Sequence, residues 1–222
     1  MPPRSPYHML LAPLPITRAA ADRAALVIVD AQAAMTSRDA GLGGEARLRG
    51  IEREFEEYYR QVDAAIPNMV RLADAVRRGG GLVAHSLLCG GPGLSRQLRL
   101  GRMPLPEPDD AASQIAPTLA PAPGDEVHLR GGYGPFADGR LTAALLARRI
   151  ERVFLAGTLA NVSVALAARE AADRDFLVYV VQDACAAETY EWHGLAMGGL
   201  AGGAIRPVWT DEAVEILEGR RS

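Results

Sequence analysis

The sequence predicts a three-layer α/β/α sandwich built on a mostly parallel, six-stranded sheet. Short apolar runs alternate with amphipathic stretches of roughly 10–15 residues, the rhythm of repeated βα units. The first run, AALVIVD (24–30), is apolar without interruption until its aspartate, as expected of a strand covered on both faces. Polar residues gather just beyond the ends of several such runs, where open parallel sheets bind their ligands.

Residues 1–23 contain a short apolar patch broken by prolines. They are expected to form an arm draped on the domain rather than a signal peptide, with residues 24–222 as one domain. After the strand at 24–30, EARLRGIEREFEEYYRQVDAAI (45–66) has helical charge patterning, and Pro67 is expected to open a second helix through NMVRLADAVRRGGG. GLVAHSLL (81–88) is the second strand. The Gly- and Pro-rich segment 89–124 is expected to be a lid or substrate-facing excursion. Strands follow at EVHL (126–129), RVFLAG (152–157), LVYVVQD (177–183) and IRPVW (205–209). Helices are expected at LTAALLARRI (141–150), NVSVALAAREAADR (161–174), TYEWHGLAMGGLAG (189–202) and TDEAVEILEG.

At 222 residues and 49% hydrophobic content the chain can bury one sizeable core. A net charge of −3 offers no electrostatic case for nucleic acid or an anionic membrane, and no apolar run approaches the ~20 residues that span a bilayer. A cytoplasmic location is the expectation. Every one of the 24 Lys+Arg positions is arginine, which together with the Ala and Gly content suggests a GC-rich, bacterial coding bias. Cys89 and Cys185 are too far apart to suggest a disulfide framework or a zinc site.

Asp30, at a strand end, suits general acid–base work, although a helix-capping role explains it equally. Gln32 is either polar lining or surface. Arg130 precedes the aromatic turn GGYGPF and can pair with Asp30 or clamp a substrate carboxylate, but it cannot shuttle protons. His85, Tyr133 and Phe136 are candidate pocket lining. Ser163 lies in the first turn of a helix whose unpaired N–H groups, at Leu159, Ala160 and Asn161, can hold an oxyanion. It is a nucleophile if a base activates it and a small helix-opening residue otherwise. His8, His85, His128 and His193 are scattered, so no metal and no cofactor are expected.

In order along the chain, ALVIVDAQ, IPNMVRLADAVRRGGGLVAHS, HLRGGYGPF, VFLAGTLANVSVALAAREAADRDFLVYVVQDACAA and WHGLAM resemble the isochorismatase-like, or cysteine hydrolase, superfamily. The resemblance covers about residues 24–215 and implies the three-layer fold. Amidases of that family use an Asp–Lys–Cys triad. Asp30 matches the aspartate, whereas Arg130 stands at the lysine position and Ser163 at the cysteine position. The resemblance also implies a cis peptide at Leu159–Ala160, with Ala160 where threonine is usual. Zinc-binding members carry D-x-H-x-H where this chain reads HSLLCGG, which implies no metal. Members commonly form homodimers or homotetramers, and the arm is a candidate interface.

Three mechanisms are compatible with these residues. Ser163 attacks covalently; or Asp30 performs acid–base chemistry on an amide, ester or vinyl ether, as family isochorismatases that lack the cysteine do; or the chain binds a ligand without turnover. The second also accommodates a lyase, isomerase or cyclase in bacterial secondary metabolism. The expected partner is a small molecule.

Overall fold

A computed structural model describes Leu10 and residues 20–91, 93–101, 105–202 and 204–219. The expected N-terminal arm therefore lies almost entirely outside the described residues. Strand β1 (Ala24–Val29) leads through a short helix α1 (Ala33–Thr36), α2 (Gly41–Leu48) and the long α3 (Glu56–Arg78) to β2 (Leu82–Leu88). Next come α4 (Arg96–Gly101), β3 (Glu126–Arg130), α5 (Arg140–Ala147) and β4 (Arg152–Thr158). A π-helical turn (Ala160–Val164) opens α6 (Ala165–Ala172), and β5 (Leu177–Ala186), α7 (Tyr190–Leu200), β6 (Ile205–Val208) and α8 (Thr210–Leu217) complete the chain.

The sheet order is β3-β2-β1-β4-β5-β6, and every pairing is parallel. Side chains alternate across β1. Ala25, Val27 and Val29 face a core shared with α5, α6 and α7, while Ala24, Leu26 and Ile28 face one shared with α3 and α8. Both faces are thus covered, which explains why the strand sequence is apolar throughout rather than alternating. The connections from β1 run outward on one side and those from β4 on the other. The switch point between them, at the carboxyl ends of β1 and β4, is where a crevice forms. No helix among the described residues is long and apolar enough to cross a membrane.

Three local expectations are corrected. The helix break falls at Arg49–Ile51, where Gly50 has φ 68°, and α3 runs straight through Pro67. An interior proline costs about 3 kcal/mol. The buried stripe Val62, Ala65, Met69, Leu72 and Val76 continues across it, and each large apolar side chain contributes about 1.5–3 kcal/mol. Strand β5 extends past Asp183 to Ala186, so Asp183 lies within the strand, where its Oδ1 accepts from the Thr210 N–H and hydroxyl and ties down α8. Segment 89–124 is not a free excursion: Ala116 and Leu119 enter the core beside α3, and Ile115 bridges to Gln32.

Candidate active site

Asp30 follows the last residue of β1 in the left-handed region, φ 55°, while its N–H still donates to Ser86 O at 2.9 Å. Leu159 follows β4 in the same region, φ 54°. That conformation costs a non-glycine residue roughly 1–2 kcal/mol. Two such residues stand at the ends of the two central strands, joined by the Thr158 hydroxyl donating to Asp30 O at 2.9 Å. Strain concentrated at the switch point, and held there by surrounding bonds, makes it the candidate site. Between them lies Gly157, φ 139°, where a Cβ would stand 2.0 Å from Val29 O.

Arg130 reaches across β2 to Asp30. Its Nη1 donates to Oδ1 at 2.7 Å and its Nη2 to Oδ2 at 2.8 Å, and the Leu88 N–H adds a third bond to Oδ1 at 2.9 Å. The two side chains are 5% and 0% exposed. Nε and Nη2 also donate to Tyr133 O, so four of the five guanidinium N–H groups are engaged. Of the two roles open to Arg130, pairing with Asp30 is the one its geometry takes; little remains to clamp a substrate carboxylate. Glu170 on α6 shapes the turn behind it. Glu170 Oε2 accepts from Phe136 N at 3.0 Å, and a Cβ on Gly134 would meet Glu170 Oε1 at 2.4 Å.

Other sequence candidates separate. Gln32 is buried, and its Nε2 donates to Leu88 O at 2.9 Å, stitching the β1 end to β2. Phe136 is fully buried among Leu141, Val164 and Ala168, a core residue rather than pocket lining. Tyr133 contributes its carbonyl oxygen. His85 sits mid-strand in register with Ile28, on the α3 face, instead of at a strand end. Burial, the dominant effect, lowers its imidazole to about 4, with Asp125 and Arg77 as its charged neighbours. Cys185 is buried in β5, its thiol pushed up to about 12 by burial.

Ser163 has no solvent exposure, and its Oγ makes no hydrogen bond. No base therefore reaches it. Ala160 is buried and Asn161 half-buried beside it, and in this opening turn the Val162 and Val164 N–H groups donate to Leu159 O at 2.9 and 3.4 Å. Every peptide among the described residues is trans, so the cis bond implied at Leu159–Ala160 is absent; the turn is made by Leu159 instead.

Three neighbours were invisible in the sequence. Tyr58 of α3 is fully buried and its hydroxyl donates to Met35 O at 2.8 Å. Burial above all holds it protonated well beyond the usual phenol range, with Thr158 opposing and Tyr59, Asp30 and Glu188 adding negative field. Thr158 and Glu188 are the others. A carboxylate two residues past the apolar end of β5 is the one signal that sequence inspection offered for Glu188. A cleft of about 490 Å³ opens on the outer side of Arg130, walled by Cys89, Gly93, Ser95, Pro108, Gly131 and Gly132. Neither Asp30 nor Ser163 lies on its wall. Among the described residues, no three His, Cys, Asp or Glu side chains group as metal ligands.

Residues 24–211 match the sequence profile of the isochorismatase domain. The phenazine biosynthesis protein PhzD of Pseudomonas fluorescens is 31% identical over 101 residues. That match covers 46% of this chain and 49% of that protein, so the chain spans about half the length of this curated relative. A cysteine hydrolase from Pseudomonas syringae pv. phaseolicola superposes with a TM-score of 0.78 at 18% identity, over 94% of this chain and 98% of that one. N-carbamoylsarcosine amidase from Thermoplasma acidophilum superposes with a TM-score of 0.61 at 23% identity, over 85% and 96%. These structural likenesses show the fold.

Proposed function

The chain belongs to the isochorismatase family, and from that premise we propose that it transforms a small molecule by proton transfer at Asp30, without a covalent enzyme intermediate. One observation carries the reading: Asp30 is held rigidly at the switch point by three N–H donors, while Ser163 Oγ has no partner to deprotonate it. A serine hydroxyl without a base is a poor nucleophile. Each carboxylate oxygen accepts about two hydrogen bonds. Oδ1 is filled by Leu88 N and Arg130, whereas Oδ2 takes only Arg130 Nη2 and keeps one acceptor position open.

Through Oδ2, Asp30 takes a proton from water as the water oxygen bonds to a carbonyl carbon. The charge that develops on the carbonyl oxygen falls to the N–H groups of Ala160 and Asn161, which open the turn. Asp30 then returns the proton to the departing nitrogen or oxygen as the C–N or C–O bond breaks. This step needs a carbonyl carbon, which an amide or ester supplies and a vinyl ether does not. Likeness to a phenazine biosynthesis protein supports a place in bacterial secondary metabolism.

The test is turnover of a panel of small amides, esters and enol ethers by Asp30→Asn and Ser163→Ala, with intact-mass analysis under turnover. Asp30→Asn is expected to lose about 10²–10⁴-fold in rate, and Ser163→Ala to remain within several-fold of wild type. An acyl adduct on Ser163 overturns the reading. The full burial of Asp30 favours a second reading, ligand binding without turnover; saturable binding of panel members with no product would establish it.

A further inference from the structure

The crevice holds more acceptors than the protein satisfies. Gln32 Oε1, Asn161 Oδ1, Ser163 Oγ and Glu188 Oε2 are all buried and all lack a hydrogen-bond partner. They come from the loops after β1, β4 and β5, three adjacent strands, at their carboxyl ends. Leaving such atoms desolvated and unpaired is destabilising, and more so for a charged group. Four such atoms at the ends of three neighbouring strands point to something that binds there.

Their chemistry is one-sided. Gln32 cannot present its N–H₂ by turning over, because Nε2 is already committed to Leu88 O, so Oε1 stays an acceptor. Glu188 Oε2 only accepts when ionised. Ser163 Oγ serves either way. Among the described residues, the buried guanidinium at this end of the sheet, Arg130, is matched by Asp30, and Glu188 makes no ion pair. The Tyr58 hydroxyl senses both the Asp30 and Glu188 carboxylates. A substrate carboxylate placed here meets a like charge and, among the described residues, no free cation. A group rich in N–H or O–H meets acceptors on three sides, and a primary ammonium brings three donors and the missing charge.

We infer that Glu188 is a substrate-binding carboxylate of this crevice, and that it receives a hydrogen-bond-donor group of the substrate, best matched by a primary amine in its ammonium form. The inference deepens the reading of the site under Proposed function and rests on it for the site's location, but it requires no particular chemistry at Asp30.

Binding is therefore measured directly, without turnover. Benzylamine, benzyl alcohol and benzoate are titrated into the ¹⁵N-labelled full chain and into Glu188→Gln, which keeps shape and loses charge. Benzylamine is expected to bind saturably and most tightly, shifting the amide signals of 158–164 and 186–190. Glu188→Gln should weaken it about tenfold or more and should not weaken benzoate, whose like-charge repulsion the substitution removes. The signal map on wild-type protein stands even where the variant folds poorly. Benzoate binding more tightly than benzylamine at these amides overturns the inference, as does benzylamine binding that Glu188→Gln leaves intact, or no saturable benzylamine binding at these amides. Benzylamine binding in a chain that turns over nothing would defeat the proposed chemistry and leave this inference standing; turnover of amides without benzylamine binding would do the reverse.

Discussion

Replacing Arg130 with methionine tests whether the Asp30–Arg130 pair holds the site together. The guanidinium supplies two of the three N–H donors on Asp30, at 2.7 and 2.8 Å, and neither side chain is more than 5% exposed. Arg130→Met keeps the aliphatic volume but leaves a buried carboxylate with only the Leu88 N–H. Removing one partner of such a pair costs about 3–5 kcal/mol, a large share of the roughly 5–15 kcal/mol that holds a domain folded. Asp30→Asn combined with Arg130→Met removes both charges, so the double variant should be more stable than the sum of the singles predicts, by about 1–3 kcal/mol. Arg130→Lys, which restores the charge but not the two-pronged geometry, should fall between wild type and Arg130→Met. Equilibrium urea unfolding reads all four, with the midpoint shifting and the slope unchanged. If Arg130→Met stays within about 1 kcal/mol of wild type, or if the two single effects simply add, the pair is not what fixes Asp30 and the argument fails.

Two further outcomes follow from the geometry. His85 is neutral in the folded chain, lowered by burial to about 4 from an ordinary value of 6.5. The unfolded chain therefore binds the extra proton first. Stability is fully present above about pH 6.5 and is lost as pH falls toward 4, by up to about 3 kcal/mol. Urea midpoints at pH 7.5 and 4.5 should show this loss in wild type, reduced by that amount in His85→Leu; identical pH dependence in both proteins rules it out. Gly157→Ala should destabilise by more than about 3 kcal/mol or prevent folding, since φ 139° and a Cβ 2.0 Å from Val29 O leave the backbone no room. A soluble Gly157→Ala protein with wild-type melting behaviour would contradict the close packing of β1 on β4.

Local patterning made the architecture legible. Apolar runs of strand length, separated by amphipathic stretches, leave a parallel sheet covered on both sides as the economical solution, and the six strands fall where the sequence places them. Helix boundaries were less legible. Pro67 signals a break by its own chemistry, yet α3 passes through it because the buried face on either side outweighs one missing hydrogen bond. His85 and Phe136 looked like site residues because a polar group near a strand end and an aromatic in a glycine turn usually are. Both belong to the core, one turned to the α3 face and the other packed under α6.

Asp30, Arg130 and Ser163 could be named from the chain alone, because each follows a strand and strand ends converge. Whether Arg130 would reach Asp30 or face a ligand depended on a β3 side chain crossing β2, a distance of 100 residues in sequence. The isolation of Ser163 Oγ, the strain at Asp30 and Leu159, and the unpaired oxygen of Glu188 are likewise facts about neighbours. Sequence periodicity encodes which face of an element is buried, since that is a property of one segment. It carries no record of which polar atoms from distant segments meet, and it is those meetings that decide the chemistry here.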